Sequence, residues 1–219
     1  HAQNLNDNTV LLGQLAPQGA NGYNDVWGYA ANGREYAIMG HRTGTSLIDV
    51  TTPSQPREVA FIPGPNSIWR DIKTHSHYAY VTNETAEGLH IIDLQNLPNS
   101  AELVARYDRT LRTAHNLYID NGYAYIAGSN TARGCNILSL SDPLAPVEVG
   151  QWNSNYWHDV IVKNDTIYGS AMGGPNGIDI VEGHNKAQLR LLSRTPFPGA
   201  FTHNIWMTAD NNYISNTDE

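Results

Sequence analysis

Three histidines occupy the same position in successive units of an internal repeat. His115, His158 and His203 each stand directly before an Asp or an Asn. Neutral imidazoles held around a narrow ring are good ligands for zinc or copper, and three of them with an open coordination position would permit Lewis-acid or redox chemistry. The spacing therefore predicts a metal site formed by these three residues. A structural role is the alternative, because a repeated histidine can also hydrogen-bond the neighbouring unit.

The predicted site is lopsided, because the first two units carry Asn24 and Arg70 in the histidine column. Acidic residues expected near the same rim are candidates for additional ligands: Asp71, Glu84, Asp159 and Glu219. The only cofactor that the sequence indicates is a divalent metal ion, either zinc, copper or calcium. An unknown protein or carbohydrate is the alternative ligand, and the residues expected to contact it are Asn24, Trp69, Arg70 and Trp157. The tryptophans can instead wedge between units.

Three aspartates that follow the histidine column suggest a second chemistry. Asp25, Asp71 and Asp159 recur on what should be adjacent inner strands. Glycoside hydrolysis uses two carboxyl groups about 5 to 10 Å apart in unlike environments. Asn116 and Asn204 replace Asp in two of the five units, which favours turn or cap hydrogen bonding instead. The leading hypothesis is therefore a binding or scaffold module, with a metal-dependent enzyme and a carbohydrate-binding or glycosidase-type protein as alternatives.

The elements that must position these residues come from a tandem repeat of about 45 residues. The Asp/Asn column predicts five units that begin near residues 24, 70, 115, 158 and 203. The first unit is predicted to form four strands, at 25–29, 35–39, 46–50 and 58–62, with a hairpin turn at Asn32-Gly33, where both positions favour positive φ. Four short strands per unit and the lack of a helical period predict an all-β fold, a β-propeller of four-stranded blades. Because first strands line the channel of a propeller, the histidine column should meet at one rim.

The chain ends bear on how such a ring would close. Residues 1–219 are expected to form a single β-propeller domain with about 4.5 blades. Residues 9–14 resemble the fourth strand of a blade and are predicted to complete the last one, which would cover an open sheet edge. The fifth unit stops after two strands, so we expect either five blades with a defective last one or a longer propeller that is truncated at the C-terminus.

Composition and charge narrow the range of partners. The formal charge is −8, and the 13 Lys and Arg residues are scattered, so no basic face for nucleic acid is expected. No stretch reaches the roughly 18 apolar residues that span a bilayer. The single cysteine, Cys135, excludes an internal disulfide framework and is expected to be a buried strand residue.

Several motifs together resemble a known family of exported proteins. The runs Tyr23-Asn24-Asp25-Val26-Trp27 and Ile68-Trp69-Arg70-Asp71-Ile72 are similar to the bacterial choice-of-anchor B family, and Leu47-Ile48-Asp49-Val50 resembles the LVIVD repeat found in it. The similarity runs from about residue 8 to residue 219. It implies export, to the periplasm, the extracellular space or an anchored position at the cell surface, and a propeller longer than this chain. It implies no defined chemistry.

Overall fold

The chain folds into antiparallel β-sheets that follow one another in sequence order. A computed structural model describes residues 9–20, 22–197, 199 and 201–218. Sheet 1 contains β1 (Tyr23–Ala31), β2 (Arg34–His41), β3 (Gly44–Asp49) and β4 (Arg57–Pro63). Sheet 2 contains β5 (Ile72–His75), β6 (Tyr78–Val81), β7 (Leu89–Asp93) and β8 (Glu102–Tyr107). Sheet 3 contains β9 (Asn116–Asp120), β10 (Tyr123–Ala127), β11 (Cys135–Ser139) and β12 (Val147–Trp152).

The remaining two sheets differ in strand number. Sheet 4 contains β13 (Tyr156–Lys163), β14 (Thr166–Met172), β15 (Gly177–Glu182) and β16 (Arg190–Pro196). Sheet 5 contains β17 (Thr202–Met207) and β18 (Ile214–Asp218). A 3-10 turn at Pro17–Ala20 precedes sheet 1. The prediction of an all-β fold built from four-stranded repeats is confirmed, and within the described ranges no helix is long and apolar enough to cross a membrane.

Two-residue hairpins set the register of the first two strands in sheets 1 to 4. Asn32 and Gly33 have φ of 53° and 72°, as the sequence predicts for this turn. Asn121 and Gly122 repeat the geometry in sheet 3, with φ of 48° and 76°. Asparagine and glycine adopt this left-handed conformation at lower cost than other residues, so the turn residues help to align the strands that follow.

Successive sheets pack face to face through apolar clusters. Tyr36 and Leu47 of sheet 1 share one cluster with Ile72 and Ile92 of sheet 2. Equivalent clusters join sheet 2 to sheet 3, sheet 3 to sheet 4 and sheet 4 to sheet 5. Cys135 lies in the third of these interfaces and is fully buried, as predicted. Because alternate side chains of a strand point to opposite faces, each sheet can contribute to the interfaces on both of its sides.

The structure differs from the prediction at residues 9–14. These residues are irregular and form no strand, and sheet 5 has no third or fourth strand among the described residues. Gly13 lies directly against the backbone of Pro53 and Ser54, in the loop between β3 and β4 of sheet 1. Val10 and Leu11 remain exposed instead of pairing with another strand. An apolar alternation indicates that a segment suits a strand, but it does not specify which edge the segment would meet.

Candidate functional site

Four aromatic rings from successive sheets lie against one another at one end of the first strands. The rings of Trp69 and His115 are stacked, with centroids 5.2 Å apart and planes 8° from parallel. The centroids of His115 and His158 are 3.9 Å apart, and those of His158 and His203 are 4.0 Å apart. We call His115, His158 and His203 the histidine row. The repeat thus brings together the three histidines that the sequence singled out.

Local irregularities in the first strands place the histidine row. His115 directly precedes β9, whereas His158 and His203 lie inside β13 and β17. The pairing register of both strands shifts at these positions, between Trp157 and Asp159 in β13 and between Thr202 and Ile205 in β17. A β-bulge adds one residue to a strand and redirects its side chain. The same shift occurs in β1 between Tyr23 and Val26, where the column carries Asn24.

Glu84 orients the first imidazole of the row. Its carboxylate oxygen Oε1 lies 2.6 Å from Nδ1 of His115, and this hydrogen bond lowers the pKa of Glu84. An ionised carboxylate can only accept, so neutral His115 carries its proton on Nδ1 and its lone pair on Nε2. The backbone N–H of Glu84 donates to Oγ of Ser67 at 3.0 Å, which fixes the loop after β6. Glu84 is therefore a partner of the row through its contact with His115.

The second imidazole is oriented by the main chain. Nδ1 of His158 lies 3.2 Å from the carbonyl oxygen of His203, and a carbonyl oxygen only accepts hydrogen bonds. Burial lowers the pKa of His158 to about 4, with further lowering by His115 and His203. His158 is thus neutral at pH 7, with its proton on Nδ1 and its lone pair on Nε2.

The three histidines do not form a complete metal site as they stand. Among residues 9–20, 22–197, 199 and 201–218, no group of three or more His, Cys, Asp or Glu side chains is placed to hold a metal ion together. Imidazoles that share a tetrahedral ion spread apart around it, whereas these rings pack against one another. Of the additional ligands that the sequence suggests, Asp71 and Asp159 lie in the cavity described next, and Glu219 lies outside the described residues.

A central cavity lies between the first strands of all five sheets. Its volume is about 280 Å³, and Trp69 lines it as well as stacking on His115. Its other aromatic walls include Trp27 and Trp206. Its polar lining consists of Asp25, Asp71, Lys73, Asn116, Asp159 and Asn204.

The aspartates of the cavity connect neighbouring sheets. Each accepts a main-chain N–H from the first strand of the next sheet: Asp25 from Ile72 at 3.0 Å, Asp71 from Leu117 at 2.7 Å, and Asp159 from Ile205 at 2.9 Å. Burial raises the pKa of Asp71, and Lys73, whose Nζ lies 2.6 Å from Oδ1, opposes that rise. After burial, the nearby carboxyl group of Asp25 contributes to raising the pKa of Asp71. The observed role of these carboxylates is to join sheets.

The series is interrupted at Asn116. The N–H of Val160, which would be its partner in the next sheet, donates instead to Oδ1 of Asp159 at 2.7 Å. Within the described ranges, Oδ1 of Asn116 is buried without a hydrogen-bond partner, and so is Nε1 of Trp69. The replacement of Asp by Asn is visible in the sequence, but its consequence depends on which N–H the next sheet presents. The repeat supplies the signal, because Asn116 lies between two units that carry Asp.

The other predicted ligand-binding residues have structural contacts. Arg70 is buried and donates from Nε to the carbonyl oxygen of His41 at 2.8 Å, and burial lowers its pKa to about 10. Asn24 donates from Nδ2 to the carbonyl oxygen of Ile68 at 3.2 Å. Trp157 is fully buried between sheets 3 and 4, where its indole N–H donates to Asp179 at 3.0 Å. Trp157 therefore wedges between sheets, which is the alternative role considered above for the tryptophans, and it has no exposed surface for a ligand at the rim.

Comparison with known proteins identifies the repeat and the fold. LVIVD repeats match residues 69–109 and 112–154, which include sheets 2 and 3 together with Trp69 and His115. No curated protein matches the sequence. The choice-of-anchor B family is not confirmed by these matches.

Two solved structures share the fold at low sequence identity. A functionally unknown protein from Desulfotomaculum acetoxidans DSM 771 is 15% identical, with a TM-score of 0.69 over 91% of this chain and 63% of that one. The computationally designed Ika8 protein is 10% identical, with a TM-score of 0.63 over 90% of this chain and 55% of that one. The chain therefore spans less than two thirds of the length of either structure.

Proposed function

We propose that the five sheets are blades of a β-propeller and that the protein is a binding module whose rim carries the ligand site. The first strands contact one another in chain order, from β1 to β5, β9, β13 and β17, and all five border one cavity. The apolar clusters join consecutive sheets, as the blades of a propeller do. The LVIVD repeats support the same architecture.

The proposed ligand of the rim is a zinc or copper ion held by the histidine row. The observation that carries this proposal is the orientation of two adjacent imidazoles. Nδ1 of His115 contacts the carboxylate of Glu84, and Nδ1 of His158 contacts a backbone carbonyl, so the neutral form of each ring carries on Nε2 the lone pair that would bind a metal. Proteins orient metal-binding imidazoles in this way, through a carboxylate or a carbonyl on the other ring nitrogen.

The chemistry of the ligands selects the class of ion. Imidazole nitrogen suits zinc and copper, whereas calcium takes oxygen ligands, so calcium is the least suitable of the three ions considered. His203 would be the third ligand, after its ring turns away from the stack on His158. The metal would supply a Lewis-acidic or redox-active centre at the rim, and this chain's own residues would orient the ligands that hold it.

A binding role requires fewer functional groups at the site than catalysis does. A metal-dependent hydrolase needs a general base beside the ion as well as an open coordination position. Glu84 is the carboxylate that meets the row, and it is engaged with His115. The metal-dependent enzyme is therefore the second candidate. Export of the protein is proposed only from its resemblance to choice-of-anchor B proteins.

Metal analysis of the purified protein tests the proposed function. Protein purified through a tag without histidines is titrated with zinc and with copper, and bound metal is measured by elemental analysis after gel filtration. We expect one tightly bound ion per chain, which is lost in His115→Ala and His158→Ala. His184→Ala is the matched control, because that side chain is 85% exposed and lies outside the row. Metal at background level in the parent protein, or equal binding in all three variants, would contradict the proposal.

A further inference from the structure

We infer that the central cavity is a second binding site, for a neutral, hydroxylated ring of about monosaccharide size. This site is distinct from the histidine row, although Trp69 borders both. Two unpaired polar atoms, three aromatic walls and a lysine that is already paired with an aspartate carry the inference.

The unpaired atoms are a donor and an acceptor. Nε1 of Trp69 donates only, and Oδ1 of Asn116 accepts only, and neither has a partner among the described residues although both are buried. Asn116 as a whole is 9% exposed. A buried polar group without a hydrogen bond costs free energy, so each atom calls for a partner inside the cavity. A ligand hydroxyl both donates and accepts, and hydroxyl groups can therefore serve both atoms.

The unpaired acceptor is a consequence of the break in the series of inter-sheet hydrogen bonds. Asp71 and Asp159, on either side, use their oxygens on the main chain of the next sheet. Asn116 has no such N–H to accept, since Val160 donates to Asp159. Its carbonyl oxygen therefore lacks the hydrogen bond that Asp71 and Asp159 each make.

The walls and the charge favour a neutral ring. Trp27, Trp69 and Trp206 border a space of about 280 Å³, close to the lower end of the range for small-molecule sites. The apolar face of a pyranose can pack against such rings. The cation of the cavity already has partners, because Nζ of Lys73 lies 2.6 Å from Asp71 and 4.6 Å from the centre of the Trp27 ring. A neutral ligand leaves this ion pair undisturbed.

Two tryptophan substitutions provide a matched test. Trp69→Phe removes the unpaired N–H and keeps an aromatic wall. Trp152→Phe is the control, because its indole N–H is likewise buried without a partner among the described residues, but Trp152 does not line the cavity. Binding of glucose, galactose, mannose, xylose and N-acetylglucosamine is followed by saturation-transfer NMR and by amide shifts of the protein, at up to about 10 mM because single-sugar sites are weak. Circular dichroism confirms that each variant is folded.

We expect at least one of these sugars to bind the parent protein. Trp69→Phe should weaken binding about fivefold or more, as expected for the loss of one hydrogen bond, and Trp152→Phe less than about twofold. Asn116→Ala should weaken binding to a similar extent as Trp69→Phe. The inference is overturned if none of the five sugars binds, since the cavity then holds only water. It is also overturned if the two tryptophan variants lose affinity equally, since the unpaired N–H then contributes nothing.

Discussion

His158 and His203 are joined by a contact between an imidazole nitrogen and a backbone carbonyl oxygen, at 3.2 Å. This contact determines which nitrogen of His158 holds the proton, and burial between two further imidazoles keeps the ring neutral. The repeat places the histidines one after another, and the bulges in β13 and β17 bring their rings into contact.

The neutral state of His158 predicts a pH dependence of stability. Its pKa is about 4 in the folded protein and near 6.5 in the unfolded chain, so the unfolded chain binds more protons between these values. The free energy of unfolding should therefore fall as the pH is lowered from about 6.5 to 4, with a slope of at most about 1.4 kcal/mol per pH unit from this residue. Urea unfolding across this range, compared between the parent protein and His158→Gln, measures the contribution. Identical slopes in the two proteins would show that His158 titrates normally.

Glu84→Gln should weaken zinc binding without unfolding the protein. The carboxylate holds the proton of His115 on Nδ1, and the loss of such a partner typically costs about 10- to 100-fold in metal affinity. Competition titration with a zinc chelator measures the affinity, and nitrogen-15 NMR of the imidazole shows whether His115 loses its preferred tautomer. Glu87→Gln is the control, since Glu87 lies in the same loop but bonds His90. Equal affinities in both variants would place Glu84 outside the site.

The aspartate that links sheets 4 and 5 should matter for stability. Asp159→Ala leaves the buried N–H of Ile205 without an acceptor and should lower the free energy of unfolding by about 1–3 kcal/mol. Asp159→Asn keeps an acceptor and should cost less. Asn116, at the equivalent position in sheet 3, accepts no such N–H from the described residues. Asn116→Ala should therefore also lower the free energy of unfolding less than Asp159→Ala does. Urea denaturation ranks the three variants, and a larger loss in Asn116→Ala would refute the proposed linkage.

Removal of one partner from the buried ion pair of sheet 4 should lower the free energy of unfolding far more than removal of one partner from an exposed ion pair. Asp179 is fully buried and accepts from Nε of Arg194 at 2.5 Å and from its Nη2 at 2.9 Å. Arg194→Ala leaves this carboxylate uncompensated and should cost about 3–5 kcal/mol. Arg190→Ala breaks the exposed pair with Glu182 and should cost less than about 1 kcal/mol. Thermal and urea unfolding of the two variants give the comparison, and similar losses would rule out a special role for burial.

Much of the fold was predictable because it repeats. The Asn32-Gly33 turn, the short strands and the five unit boundaries all follow from local preferences that recur with one period. Local preferences do not specify which distant strand a segment will pair with. The pattern at residues 9–14 therefore predicts a strand, whereas the structure shows an irregular segment there. Burial at interfaces is equally non-local, so the sequence leaves open whether Trp157 contacts a ligand or wedges between units, and the structure places it between sheets 3 and 4.

His115, His158 and His203 are equivalent in the amino-acid sequence, because equivalence in a repeat depends only on spacing. What their side chains contact depends on how neighbouring sheets pack. The stacking of the histidine rings and the hydrogen bond between His115 and Glu84 join residues at least 31 positions apart. Among the described residues, Oδ1 of Asn116 has no hydrogen-bond partner, because the N–H of Val160 in the next sheet donates to Asp159. Side-chain geometry between distant segments is set by packing rather than by the local pattern of the chain.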